Sequence, residues 1–374
     1  MVTFNLDAYL KELEYLVNID SGSRYPEGTA RVAEFFYKKF TSLGWKVKEH
    51  KFDPVVGPCL EIVNTNQAKY DVLLMGHMDT VFKTGTASER PFALAGDRAY
   101  GPGVSDMKSG LLYIYYAMIG LQAEGKLENT AICVALNSDE EISSVYSRPW
   151  LESLAEKSRY ALVLEAARAN GNLVNQRKGV GRYAIEFTGV AAHAGVNPEK
   201  GSSAVQELAQ WILALHAQTN YATGTTLNVG VVNGGTAANV VAEQAKAEVD
   251  FRFSSPAEAK RIDALIKDMA AQPKTAGTKV KVTGGVTRPP MTPDAATLQL
   301  CTEIEELAAK LGLEIGWTAT GGGSDGNFTA NLGVVTIDGV GPIGGSAHGP
   351  EEYLVVSSLE PRLQLLCKII QKLV

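Results

Sequence analysis

Cysteine is scarce in this 374-residue chain: Cys59, Cys133, Cys301 and Cys367 lie far apart, with no Cys-x-x-Cys. That excludes a disulfide framework and fits reduced, structural thiols in a cytoplasmic protein. A lysine- or arginine-rich block is also missing, and the formal net charge is −6. Nucleic acid and anionic membrane are therefore poor candidates for the main partner. The longest apolar run, Leu111 to Leu121, is too short to cross a bilayer and carries three tyrosines. The first ten residues lack a basic n-region and an apolar h-region, so no signal peptide is expected there.

What is present is an ordinary globular composition, 45% apolar and 20% charged, in a chain long enough to predict two domains. The stretch Tyr70 to Thr80 organises the reading. Its apolar run, Val72 to Met75, predicts a strand buried on both faces of a parallel sheet. At Gly76 the run stops, and His77 and Asp79 follow, two residues apart and so facing the same way. Ligands bind where such strands end, because the loops there converge on one crevice. Taken alone, His-x-Asp reads as a strand ending in polar residues. The rest of the chain reverses that.

Helical spacing is found at Leu6 to Val17, and again at Thr29 to Leu43 before Gly44. Short strands are expected at Lys46 to Lys51, where His50 reads as a surface residue, and at Leu60 to Val63. Arg98 to Gly103 reads as a turn-rich loop, and a helix is predicted from Met107 to Glu124 just after Asp106. Buried strands at Thr130 to Asn137 and Tyr160 to Leu164 end in Glu140-Glu141 and Glu165. From Gly181 the texture changes. Alternating segments (182–188, 226–232, 244–253) separated by helices (203–219, 256–270) predict an antiparallel sheet covered on one face. Residues 181–288 thus read as an inserted α+β domain, with 1–180 and 289–374 forming an α/β domain around a mostly parallel sheet. In the second part of that domain, a helix is expected at 295–311, strands at 314–318 and 333–337, and a last helix at 357–373. His216 reads as a helix-packing residue.

The strand ends therefore offer His77, Asp79, Asp106, Glu140, Glu141 and Glu165, and a late loop adds His348. Two imidazoles and several carboxylates at one sheet edge suit zinc. So many carboxylates in one crevice would repel one another and drift toward protonation. A pair of divalent cations removes that problem and can share a bridging carboxylate. Adjacent Glu140 and Glu141 fit two roles, one ligand and one general base. Each residue alone has a plainer use: Asp106 as a helix N-cap, Glu140-Glu141 as a solvated turn, His348 as a loop residue.

Gly-His-Met-Asp-Thr-Val (76–81), Tyr-Gly-Pro-Gly-Val-Ser-Asp-Met-Lys-Ser-Gly (100–110), Asn-Ser-Asp-Glu-Glu (137–141) and Thr-Gly-Gly-Gly-Ser-Asp (320–325) resemble the dinuclear-zinc aminoacylase and carboxypeptidase family, nearest its bacterial glutamate carboxypeptidase branch. The resemblance implies a zinc-exopeptidase-like catalytic domain and an inserted dimerisation domain, hence a homodimer. It implies two zinc ions per chain, with cobalt or manganese as substitutes. Asp106 would bridge them, His77 and Glu165 completing one site, Glu141 and His348 the other. Glu140 would be the general base, Asp79 the carboxylate orienting His77, and the Asp106–Met107 peptide would be cis. His193 would reach toward a partner's site to stabilise an oxyanion. Asn239, Arg288 and the Gly321, Gly322 and Gly323 backbone would hold the substrate's carboxylate. The implied reaction is cleavage of the amide next to a C-terminal amino acid, in a small peptide or an N-acyl amino acid.

Two departures stand out. Ile142-Ser143-Ser144 follows the acidic pair where the family often has glycine two positions on, and Ser-Ala-His-Gly-Pro-Glu-Glu surrounds the last histidine. Within the family, N-acyl amino acid deacylase and di- or tripeptidase activities are the alternatives. Outside it, Gly322–Gly326 satisfies Gly-x-Ser-x-Gly, and Ser324, Asp338 and His348 follow serine-hydrolase order. That reading leaves His77, Asp106, Glu140, Glu141 and Glu165 unexplained. A non-catalytic binding protein on the same scaffold would lack a ligand or the base, and none is missing.

Overall fold

The structure is a computed structural model describing residues 4–374. The chain divides into two compact units. The first comprises the described residues up to Gln176 together with Met291–Thr320 and Ser324–Val374; the second is Arg177–Pro290 with Gly321–Gly323.

The first unit is built on a mixed eight-stranded sheet. Its order is Lys46–His50, Cys59–Val63, Ile132–Asn137, Tyr70–His77, Ser158–Val163, Val335–Asp338, Leu173–Arg177 and Trp317–Thr320. The four central strands, from Ile132–Asn137 to Val335–Asp338, run parallel. Alternate residues of these strands feed two separate cores. Val72, Leu74, Val134, Leu136 and Leu162 pack with Tyr9, Phe36, Leu112 and Ile370 on one face. Leu73, Met75, Cys133, Ala135 and Ala161 pack with Trp150, Leu151 and Leu154 on the other. Covering both faces requires the uninterrupted apolar runs read from the sequence, since each buried aliphatic side chain contributes about 1.5–3 kcal/mol. All four cysteines are buried and unpaired.

The second unit is a four-stranded antiparallel sheet ordered Thr226–Gly234, Gln244–Phe253, Gly179–Thr188, Lys279–Arg288. The helices Ala204–His216 and Pro256–Ala271 supply Trp211, Ile262 and Ile266 to a core with Phe187, Phe251 and Phe253. The alternation exposed–buried along Gly179–Thr188 matches one covered face.

Several local expectations are corrected. Arg98–Tyr100 is a strand, not a loop; with Ala93–Ala95, Gly344–Gly345 and Tyr353–Val355 it forms a small separate sheet. The strand Lys279–Arg288 was not expected, because Gly284 and Gly285 interrupt its alternation. The strand predicted at 314–318 lies at Trp317–Thr320, since Leu313 and Ile315 pack onto the core without ladder pairing. His50 is no free surface residue: Nε2 pairs with Glu61 (2.8 Å) and the ring stacks on Phe52. His216 also accepts the Val229 N–H at 3.3 Å.

The helix expected from Met107 begins instead at Ser109, and Val104–Lys108 forms a distinct turn. Asp106 (φ −119°, ψ 90°) and Met107 (φ −133°, ψ 36°) are non-helical there. Gly110 lets this helix press against the end of Ser158–Val163: a Cβ at 110 would lie 2.0 Å from the Leu164 carbonyl oxygen. That oxygen is backbone and cannot swing aside. Gly110→Ala should therefore destabilise the protein by about 1–3 kcal/mol, read as a lowered denaturant midpoint. An unchanged midpoint would mean that the helix shifts freely.

Candidate metal centre

Register places the strand ends side by side. His77 is paired with Asn137, and Met75 with Val163. The residues that follow these partners, Glu140-Glu141 in a short 3-10 turn and Glu165 in a loop, therefore emerge beside His77. The turn Val104–Lys108 brings Asp106 to the same edge, and the loop after Gly344–Gly345 brings His348.

The side-chain geometry centres on Asp106. Its Oδ1 lies 3.2 Å from His77 Nε2, and its Oδ2 lies 3.1 Å from His348 Nε2. Glu165 Oε1 is 3.4 Å from His77 Nε2, and Glu141 Oε2 is 3.2 Å from His348 Nε2. Two trios, His77–Glu165 and His348–Glu141, thus share one carboxylate. His77, Asp106 and Glu141 also each offer a ligand atom within 4.8 Å of one another. His77 is almost wholly enclosed, at 2% exposure, whereas His348 is 55% exposed and marks the open side.

Electrostatics show what this cluster wants. Burial, then the Asp106 charge, pushes the Glu141 carboxyl up to about 7 and raises Glu165 as well. Burial opposes charge on Asp106 too, but its hydrogen bonds to His348 and His77 hold it well below the usual carboxylate range. Hydrogen bonds to Asp106 and Glu141 raise His348 to about 11. Burial disfavours a charged His77, yet its bonds to Asp106, Asp79 and Glu165 raise it well above its ordinary value. Protons on the imidazoles here supply positive charge that a cation could supply instead. Glu141 Oε1 is buried with no hydrogen-bond partner among the described residues, a polar atom that a cation would satisfy. The nitrogen and oxygen donors fit a divalent metal.

Supporting contacts fix the donors. His77 Nδ1 is 3.0 Å from the Asp79 main-chain carbonyl and 3.4 Å from its Oδ1, so the carbonyl is the nearer partner. The Asp79 carboxylate accepts the Ser23 hydroxyl (2.7 Å) and the N–H groups of Glu140 and Glu141 (both 3.1 Å). The Asp106–Met107 peptide is cis. Asp106 caps no helix. Glu352, passed over in the sequence, accepts three N–H groups of the other loop: Gly103 (3.1 Å), Ser105 (2.8 Å) and Asp106 (2.9 Å). Burial and then Asp106 raise this carboxyl to about 7. Only its place four residues after His348 could have drawn notice. Ser143, where glycine is common in the family, has φ 73°, and His348 has φ 65°. Both are left-handed conformations that disfavour a side chain.

The other expected residues belong to the second unit. His193 and Asn239 are neighbours there: His193 bridges to Val240, and Ala194 N–H donates to the Asn239 carbonyl at 3.0 Å. Arg288 is buried, and Gly323 packs so close that a Cβ on it would meet Arg288 Cδ at 2.8 Å. The Gly322 and Gly321 carbonyls accept from Arg177 (3.2 Å) and Arg252 (3.3 Å), two residues the sequence did not single out. The serine-hydrolase alternative is not assembled. Ser324 is buried and donates directly to Asp338 (2.5 Å), while His348 is engaged by Asp106 and Glu141. No imidazole stands between hydroxyl and carboxylate.

A family profile described as peptidase family M20/M25/M40 matches residues 73–372. The chain belongs to this family. It is thus a metallopeptidase or amidohydrolase, from a family whose members depend on metal. It is similar to carboxypeptidase G2 of Pseudomonas sp. (strain RS-16), 29% identical over 373 residues, 98% of this chain and 89% of that protein. It is also similar to acetylornithine deacetylase of Aliivibrio salmonicida (strain LFI1238), 23% identical, with 97% of each chain covered. Its fold matches the M20 family metallo-carboxypeptidase Sso-CP2 from Sulfolobus solfataricus, with TM-score 0.79 and 18% identity over 98% of this chain and 99% of that one.

Two expectations follow from the donor geometry. Metal uptake by the metal-free protein at pH 7 should release protons, chiefly from His348, raised to about 11, with a contribution from His77, which is raised as well. Calorimetry in buffers of different ionisation enthalpy reads this directly; a buffer-independent heat would contradict it. Glu352→Gln should weaken metal binding roughly 10–100-fold in chelator competition, because an amide NH2 would face backbone N–H groups. Unaltered affinity would remove Glu352 from the support of Asp106.

Proposed function

We propose that this chain is a dinuclear-zinc hydrolase that cleaves the amide bond next to a C-terminal amino acid, in a small peptide or N-acyl amino acid. The observation that carries the reading is the division of Asp106, one oxygen to His77 and the other to His348. Such a carboxylate suits two cations, with His77 and Glu165 holding one and Glu141 and His348 the other. Bound there, the ions would polarise the scissile carbonyl and favour deprotonation of the attacking water. Cobalt or manganese would fit the same donors.

Glu140 acts as general base, taking the proton from water and delivering it to the leaving amine. Its backbone is fixed through Asp79, which also orders Glu141 and braces His77. Arg288, Asn239 and the Gly321–Gly323 backbone bind the substrate's α-carboxylate, and His193 serves the oxyanion, from a partner subunit. Homodimerisation is supported by the free edge of Thr226–Gly234, with Val231 and Val232 exposed on it and Leu213 75% exposed on the neighbouring helix. Unpaired apolar edges of this kind favour self-association. Similarity to a carboxypeptidase and a deacetylase supports the bond class, with N-acyl amino acid deacylase the second reading.

Glu140→Ala should abolish turnover of an N-blocked amino acid panel while metal content by elemental analysis stays at the wild-type level. Loss of a general base typically lowers rates about 10²–10⁴-fold. Retained activity would take Glu140 out of the role.

A further inference from the structure

Beside the metal cluster, within the first unit, lies a cleft of about 510 Å³ that Glu141 helps to line. One wall is the turn 22–25, the other the segment 80–84. The two are tied together: Thr80 N–H donates to the Ser21 carbonyl (2.9 Å) and Ser23 N–H to the Thr80 carbonyl (3.3 Å). Gly22 makes the approach possible, since a Cβ there would lie 2.6 Å from the Phe82 carbonyl oxygen. The Ser23 hydroxyl in turn bonds the Asp79 carboxylate that orders Glu140 and Glu141. The cleft is therefore preformed and held in register with the cluster, as binding sites usually are.

Its charge is distinctive. Glu141, a member of the metal cluster, is the only acidic residue in the lining. Arg24 and Lys83 come from opposite walls, are exposed, and have no acidic partner among the described residues. A third cation, Arg90, sits 4.9 Å over the Phe82 ring. On a chain of net charge −6 this is a local reversal of sign. Val81, Phe82 and Ile142 add apolar surface to the lining.

We infer that this cleft is the acyl-side subsite and that Arg24 and Lys83 select acyl groups with an apolar body ending in a carboxylate. The inference rests on the amide-hydrolase reading above. Water adds to the acyl carbon, the C–N bond breaks and the amine leaves with the proton, so no further reactant is needed. The distal carboxylate stays bound between a guanidinium and an ammonium, one able to grip both its oxygens.

The test uses the full-length zinc-loaded enzyme and two substrates of equal length, N-glutaryl and N-pentanoyl derivatives of one amino acid. The wild type should favour the glutaryl substrate by about tenfold or more in kcat/KM, the preference shrinking at high ionic strength. In the double variant R24A/K83A the ratio should fall toward unity, and R24E/K83E should turn preference to a 5-aminopentanoyl substrate. Equal wild-type rates, or a ratio unmoved in R24A/K83A, would overturn the subsite. The pentanoyl substrate needs no cation, so its hydrolysis without glutaryl preference refutes the subsite alone. Hydrolysis of neither substrate would overturn the hydrolase reading and the subsite with it.

Discussion

The shared carboxylate of Asp106 is the constraint on which the site depends. Each of its oxygens faces a different imidazole at 3.1–3.2 Å, so neither trio can be rearranged without disturbing the other. Holding one side chain in two partnerships demands a fixed backbone. The Val104–Lys108 turn provides it, anchored through Gly103, Ser105 and Asp106 to Glu352 and backed by the helix that Gly110 lets close onto Leu164. In the low-dielectric crevice the alternative is protonation, visible in the raised Glu141 and Glu165. The cluster is therefore a receptor for positive charge before it is anything else.

The sheet makes that arrangement affordable in stability. Its central parallel strands bury alternate side chains in two cores, and the polar residues appear only where the apolar runs end. Asp79 carries the link outward. It joins the strand end to the turn bearing Glu140 and Glu141 and to the Ser23 turn.

Much of this was legible because burial leaves a mark on composition. The run Val72–Met75 and its counterparts in 130–137 and 160–164 announced strands covered on both faces, and the alternation in 182–188 and 244–253 announced a sheet covered on one. The members of the cluster could be read because each follows such a strand or a glycine-rich turn. What stayed hidden has equally physical causes. Strands of two or three residues, such as Gly344–Gly345 and Ala93–Ala95, carry too few side chains to show a period. Glu352 and Arg177 act on main-chain N–H and carbonyl groups, which nearly every residue possesses, so sequence does not record them. Asp79 was read as a side-chain partner of His77, yet its carbonyl is the closer contact, and its carboxylate serves the neighbouring turn.

The order of the donors along the chain has a consequence for biogenesis. His77, Asp106 and Glu165 are all encoded ahead of the second unit, whereas the other trio waits for His348, encoded after it. A polypeptide still on the ribosome thus possesses one trio long before the other is complete. Until the loop bearing His348 and Glu352 arrives, Glu141 is without its imidazole and the Asp106 turn without the Glu352 clasp.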